Sequence, residues 1–95
     1  MKGNPRVNRS LADPMMDDID HALGRPTDPL GETFRNYYAA NTGGPEAAAF
    51  DASPWWRRGR SDASLTGYIV TDEGRQALAD HLSALAGLKR GRGRT

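Results

Sequence analysis

Between Pro54 and Leu85 strand, turn and helix signals follow one another without interruption, and this restricts the fold more than any other stretch of the chain. Trp55-Trp56-Arg57 opens a strand with aromatic residues that fit a pleated surface. Gly59 to Leu65 is a polar run suited to a turn, and Gly67-Tyr68-Ile69-Val70 returns as a second strand. Thr71 follows as a helix N-cap, with Asp72 and Glu73 in the first turn where the helix dipole favours negative charge. Leu78, Leu82 and Leu85 then recur at helical spacing. The expected unit is a hairpin that feeds an amphipathic helix.

Upstream of the hairpin, residues 1–13 show no periodicity and contain Gly3, Asn4, Pro5 and Asn8, so a flexible basic arm is expected there. Asp13-Pro14 opens a short helix, because a first helical turn tolerates proline, and Gly24 ends it. Met15, Ile19, Ala22 and Leu23 share one side of that helix. Asp17, Asp18 and Asp20 then fall largely on the other, as a solvated or partner-facing acidic face. His21 near Asp17 reads as a surface histidine with carboxylate neighbours rather than as a proton relay. In Arg25-Pro26-Thr27-Asp28-Pro29 each residue before a proline is pushed out of helical geometry. A second helix is expected to start at Asp28-Pro29 and run toward Arg35, followed by an extended Asn36-Tyr37-Tyr38 piece; a short strand from Phe34 to Ala39 is the alternative. Asn41-Thr42-Gly43-Gly44 is a breaker, and Pro45 to Ala52 forms a third short helix whose alanines and Phe50 face inward. The expected division is a single domain over residues 14–87, flanked by the arm at 1–13 and a flexible basic tail at 88–95.

Ninety-five residues allow one domain with a modest core. The absence of cysteine excludes a disulfide framework and thiolate metal sites. Two histidines fall in different elements, there is no glycine-rich phosphate loop, and no Ser/His/Asp set is suggested. No catalytic residue, cofactor or metal is therefore expected. Within the acidic run only Asp17 and His21 have the i, i+4 spacing of helical metal ligands, and consecutive residues there diverge around the axis. No stretch is long and apolar enough to span a membrane, and no apolar signal-peptide run appears at the start, so a cytoplasmic protein is expected. Monomer and dimer remain equally open.

A net charge of +1 conceals segregated blocks. Lys2, Arg6 and Arg9 are followed by Asp13, Asp17, Asp18 and Asp20; Arg57, Arg58 and Arg60 form a central cluster, and Lys89, Arg90, Arg92 and Arg94 make the end basic. Such blocks suit charged partners or simple solubility. Successive residues of a strand face opposite ways, so one of Trp55 and Trp56 is expected in the core and the other on a partner, since tryptophan and arginine dominate interface hot spots. The candidate partner-binding set is accordingly Trp55, Trp56, Arg57, Arg58 and Arg60, with Asp17, Asp18 and Asp20 as a second patch. Arg57, Arg58, Arg60, Lys89, Arg90, Arg92 and Arg94 are the alternative set, for nucleic-acid phosphates.

The run Tyr68-Ile69-Val70-Thr71-Asp72-Glu73-Gly74-Arg75-Gln76-Ala77-Leu78 resembles the strand-to-helix junction that closes many winged-helix domains. With His21-Ala22-Leu23-Gly24 and Phe34-Arg35-Asn36-Tyr37-Tyr38, the chain is also similar to small phage or prophage proteins of GC-rich bacteria, over most of residues 15 to 86. An arginine-rich, lysine-poor composition fits such DNA. The resemblances imply an α+β, mostly helical, winged-helix-like domain: three short helices, a two-stranded hairpin and a C-terminal helix. The helix before the hairpin, Pro45 to Ala52, offers carboxylates and alanines where a DNA reader would present arginine, lysine or amides, which disfavours sequence-specific readout. The expected function is a non-enzymatic, phage-type binding protein that occludes a host protein or nucleoprotein machine, an anti-CRISPR inhibitor being one such role. A winged-helix transcriptional regulator that binds nucleic acid is the alternative.

Overall fold

A computed structural model describes Val7 and residues 9–92, the last five of them as backbone. Helices α1 (Pro14–Ala22), α2 (Pro45–Asp51) and α3 (Asp72–Arg92) alternate with strands β1 (Tyr38–Asn41), β2 (Trp56–Ser61) and β3 (Leu65–Val70). The strands form one antiparallel sheet in the order β1-β3-β2. The fold is thus α+β, with three helices and a three-stranded sheet.

The hairpin and the helix that follows it occur where the residue pattern requires them. Asp62 sets the turn, its carboxylate accepting from the backbone N–H of Ser64 and Leu65 at 2.8 and 2.9 Å. Such a short polar side chain organises a tight turn by hydrogen-bonding its own backbone. β2 is longer than expected, reaching Ser61, with a register shift between Arg58 and Ser61 where Gly59 lies. Thr71 caps α3: the Gly74 N–H donates to its Oγ1 at 3.1 Å, and its own hydroxyl donates to the Pro54 carbonyl at 2.7 Å. Gly74 is required by contact, since a Cβ there would lie 2.5 Å from the Trp55 carbonyl oxygen and 2.7 Å from a Val70 methyl.

α1 begins and ends on textual cues that the chain carries in plain sight. Asp13 accepts from the N–H of Met15 and Met16, and Pro14 occupies the first turn. At the other end Gly24 has φ +82, its N–H donates to His21 and the Arg25 N–H donates to Asp20, which satisfies two terminal carbonyls. Arg25 is itself left-handed at φ 53, unusual for a residue with a side chain.

Three expectations are corrected. The helix expected from Asp28-Pro29 toward Arg35 does not form. Asp28 instead initiates a turn, accepting from Leu30 N–H through its side chain and from Gly31 N–H through its carbonyl. The segment's apolar residues, Leu30 and Phe34, are 54% and 63% exposed, so no buried apolar face offsets the cost of a helix. Arg75 holds the segment in place from α3, donating to the carbonyls of Pro29 and Gly31 and to the Thr33 hydroxyl. A strand does follow, but over Tyr38–Asn41 rather than Phe34 to Ala39, so that of the expected extended piece only Tyr38 belongs to it. Tyr38 pairs with Tyr68 and Asn41 with Leu65, and the Asn36 side chain prolongs the pairing by accepting from Val70 N–H and donating to Val70 O.

The expected arm is the second correction: Val7 N–H donates to Arg25 O, and Leu11 packs against the core. Its remainder, Met1 to Arg6 and Asn8, lies outside the described residues. Third, helical backbone continues past the expected boundary at 87 to Arg92.

One side of the sheet faces the helices. Trp56, Tyr68, Val70 and Ala40 meet Met16, Ile19, Ala22 and Leu23 of α1 and its end, Ala47 and Phe50 of α2, and Leu78 of α3. Aromatic rings dominate this core. Phe50 stacks on Trp56 with centroids 4.1 Å apart, and Tyr68 and Tyr38 meet Phe50 edge-on at 5.1 and 5.3 Å.

Candidate functional site

Antiparallel partners directly opposite one another point the same way, and neighbours along a strand alternate. Thr66, Tyr68 and Val70 are buried on the helical side, so Leu65, Gly67 and Ile69 project from the other side of β3. Their partners Asn41, Ala39 and Arg57 project with them. Arg60, next to Ser61, which hydrogen-bonds inward to Thr66, joins the same outer side by alternation. Gly67 is the one buried strand residue on this side, and it is buried by a ring. A Cβ on Gly67 would lie 2.6 to 3.1 Å from Cε1, Cζ and the hydroxyl oxygen of Tyr37. The Cε1–hydroxyl edge of the Tyr37 ring therefore lies against Gly67, while the residue stays 56% exposed. Leu65 is 47% exposed beside it. None of the strand positions on this outer side carries a carboxylate.

The arginines sort sharply by whether something holds them. Among residues with described side chains, Arg9, Arg25, Arg35, Arg58 and Arg75 each donate to a carboxylate or a backbone carbonyl. Arg57 and Arg60 are exposed and make no hydrogen bond or ion pair among the described residues. Arg58, by contrast, is engaged by Asp51 at 2.6 Å, and Tyr68 donates its hydroxyl to the same carboxylate at 3.0 Å. These hydrogen bonds hold the Asp51 carboxyl below its ordinary range, Arg58 first. Asp51, Arg58 and Tyr68 line a cleft of about 140 Å³ together with Thr42 and Gly44. Its polar groups are already engaged with one another, which leaves it little capacity to hold a ligand.

Other expected site residues are redistributed. Trp56 is 5% exposed and belongs to the core, so it is not a partner anchor. Trp55 is half-buried, packed against the core beside Gly74. The division of the pair into one core ring and one nearer the surface holds. Asp20 is removed from the acidic face altogether: its side chain has no exposed surface and is gripped by Arg9 and Arg25, the latter at 3.0 Å. Asp17 is turned toward the same cluster, accepting from Arg25 at 2.7 Å and from the Leu11 N–H at 2.9 Å. It does not pair with His21, whose ring meets Tyr38 edge-on. Arg25 and the Leu11 amide lower the Asp17 pKa, so its stabilising contribution is present at neutral pH and is lost as pH falls through that lowered value. Lys89, Arg90 and Arg92 lie on the backbone of α3, and Arg94 lies outside the described residues.

Asp18 has the opposite environment. Half-buried and with no cation paired to it among the described residues, it is pushed up to about 6 by desolvation first and then by Glu46 and Asp17. Glu46 in turn accepts the Tyr38 hydroxyl at 2.8 Å, and burial together with this bond raises the Tyr38 pKa. Between about pH 4 and 6 the folded protein keeps the Asp18 proton while the unfolded chain loses it, so stability falls as pH rises through this window. The undiscounted difference would be about 3 kcal/mol at 1.36 kcal/mol per pKa unit, and solvent screening of a side chain that is not fully buried reduces it to about 1 kcal/mol. Asp18→Asn is therefore expected to raise the unfolding free energy by about 1 kcal/mol at pH 7 and to leave it nearly unchanged at pH 3.5. Urea denaturation at the two pH values measures this, and equal effects at both would contradict the assignment.

Among the described residues no group of three or more acidic, histidine or cysteine side chains is arranged to hold a metal, and no helix is long and apolar enough to cross a membrane. Comparison with known proteins brings no match: no family model, curated protein or solved structure aligns significantly with the chain. Sequence reasoning missed Tyr37 as a surface feature, treating it as part of an extended connection. The available signal was Gly67, a glycine within an otherwise bulky strand, which marks the close approach of another group.

Proposed function

We propose that the protein acts by binding rather than catalysis, and that it docks through the outer side of its sheet onto a host protein or nucleoprotein machine. One observation carries this reading. Arg57 and Arg60, alone among the arginines whose side chains are described, have no internal partner, and they flank an exposed Tyr37 and Leu65 on a surface without strand carboxylates. Arginines that serve the fold are fixed in ion pairs or on carbonyls, whereas unpaired arginines beside an exposed aromatic ring have the composition of interface hot spots. The phage-type origin implied by the sequence resemblance gives the setting, a bacterial cytoplasm in which the partner is host machinery; an anti-CRISPR-type inhibitor falls within it.

A winged-helix transcriptional regulator is less well supported. The order α-β-α-β-β-α and the central position of β3 favour winged-helix likeness. Only one helix separates β1 from β2, however, and Pro45, Glu46 and Asp51 give it a poor surface for reading bases. The test is retention of partners from host lysate on immobilised protein, with and without nuclease, compared with Arg57→Glu/Arg60→Glu. Specific retention that disappears in the folded double variant is the expected result. Identical retention by both proteins would move the docking surface elsewhere.

A further inference from the structure

Resting on the reading that the outer side of the sheet is the docking surface, we infer that its ligand is single-stranded nucleic acid, with Tyr37 as a stacking platform for a base. The ring is seated for this role. Gly67 removes the one side chain that would push it away, so the Cε1–hydroxyl edge of the ring lies against the strand and the residue remains 56% exposed. A base stacks on such a ring without regard to sequence, because every base presents a π face.

The cations are placed to hold the backbone of the same strand. Strand spacing and rise put the Cα of Arg57 roughly 8 Å from that of Gly67, and Arg60 lies across from Gly67 in the bulge of β2. Neither arginine must first give up a carboxylate, so phosphate contact costs no internal ion pair. The absence of strand carboxylates removes the repulsion that Glu46 and Asp51 would present on the helical side. Duplex DNA fits less well: its bases are stacked on one another and cannot cover a lone ring. A second copy of the chain fits less well too, since a two-fold contact through this side would bring the unpaired arginines toward their own copies.

The test is fluorescence anisotropy with a fluorescein-labelled oligothymidine of about 15 nucleotides and with a duplex of equal length, from low to moderate salt. The single strand is expected to bind more tightly than the duplex. Tyr37→Leu keeps an apolar cover on Gly67 but no π face, and is expected to weaken binding roughly tenfold with an unchanged salt dependence. Tyr37→Trp should retain the affinity. Arg57→Gln/Arg60→Gln should reduce the slope of log K against log salt by about 1.4, two phosphates at 0.7 each. Equal affinity for Tyr37→Leu, or tighter binding of duplex, overturns the stacking role. No single-strand binding at low salt overturns the ligand class; the docking surface itself stands in that event if the glutamate variant still releases a nuclease-resistant partner. Self-association of the unmutated protein that Tyr37→Leu abolishes, measured by sedimentation, would assign the surface to a second copy and overturn the inference.

Discussion

Trp56→Ala is expected to lower the unfolding free energy by about 3–5 kcal/mol, the largest effect of any single substitution considered. The ring is 5% exposed and has Phe50 stacked on one face with Tyr38 and Tyr68 at its edges, so its removal opens a cavity among side chains that other contacts already fix. A domain of this size has roughly 5–15 kcal/mol in total, and the variant should be largely unfolded at moderate temperature. The indole N–H makes no hydrogen bond among the described residues, so Trp56→Phe forfeits only volume and is expected to cost less than half as much. Trp55→Ala removes a ring that is only half-buried and should fall in the same lower range. Urea denaturation followed by circular dichroism ranks the three. If Trp55→Ala proves the more damaging of the two alanine variants, the assignment of the core ring is reversed.

The second large effect is expected where three separated residues converge on α1. Asp20 is a carboxylate with no exposed surface, held by Arg9 from the N-terminal segment and by Arg25 from the turn after the helix. Arg9 also donates to the Pro26 carbonyl at 2.7 Å, which ties the segment to that turn. Removing both cations by Arg9→Ala/Arg25→Ala would leave a buried charge without compensation, at a cost of about 3–5 kcal/mol. Arg9→Ala alone, with Arg25 still present, should cost less, and deletion of residues 1–10 at least as much as Arg9→Ala. Adding Asp20→Ala to the double variant is expected to recover part of the loss, because no buried charge then remains. Thermal and urea unfolding of the series measures the coupling. A deletion that leaves the melting temperature unchanged would show that the segment is dispensable.

That cluster also explains why the acidic face was misread. Periodicity places Met16, Ile19, Ala22 and Leu23 on the core side and assigns the intervening aspartates to solvent, because helical spacing relates residues only to their own helix. Arg9 lies eleven residues before Asp20 and Arg25 five after it, and no local rule connects them. The left-handed backbone at Arg25, which follows Gly24, brings its side chain back over α1. A segment without periodicity is consequently docked by the Arg9–Asp20 ion pair, by backbone hydrogen bonds from Val7 and Leu11, and by the single apolar contact of Leu11.

The candidate surface shows the same division. The hairpin, a turn within the polar run from Gly59 to Leu65 and the Thr71 cap were legible, since each rests on interactions within a few residues or on the intrinsic preference of one residue type. The alternation that separates Trp55 from Trp56 was legible for the same reason. It did not reveal which arginine would be spent internally, because that required Asp51 of α2 to come beside Arg58.

Local chemistry by itself determined where this chain turns, caps its helices and changes from strand to helix, as Asp13, Gly24, Asp62 and Thr71 do with their own neighbours. Only the tertiary structure decided that Tyr38–Asn41 joins the hairpin as a third strand, that Leu30 to Arg35 stays irregular under the hold of Arg75, and that Tyr37 rests on Gly67. In each case the deciding partner lies 24 or more residues away, and its contribution exists only after the chain has paid the entropy of closing the loop between them.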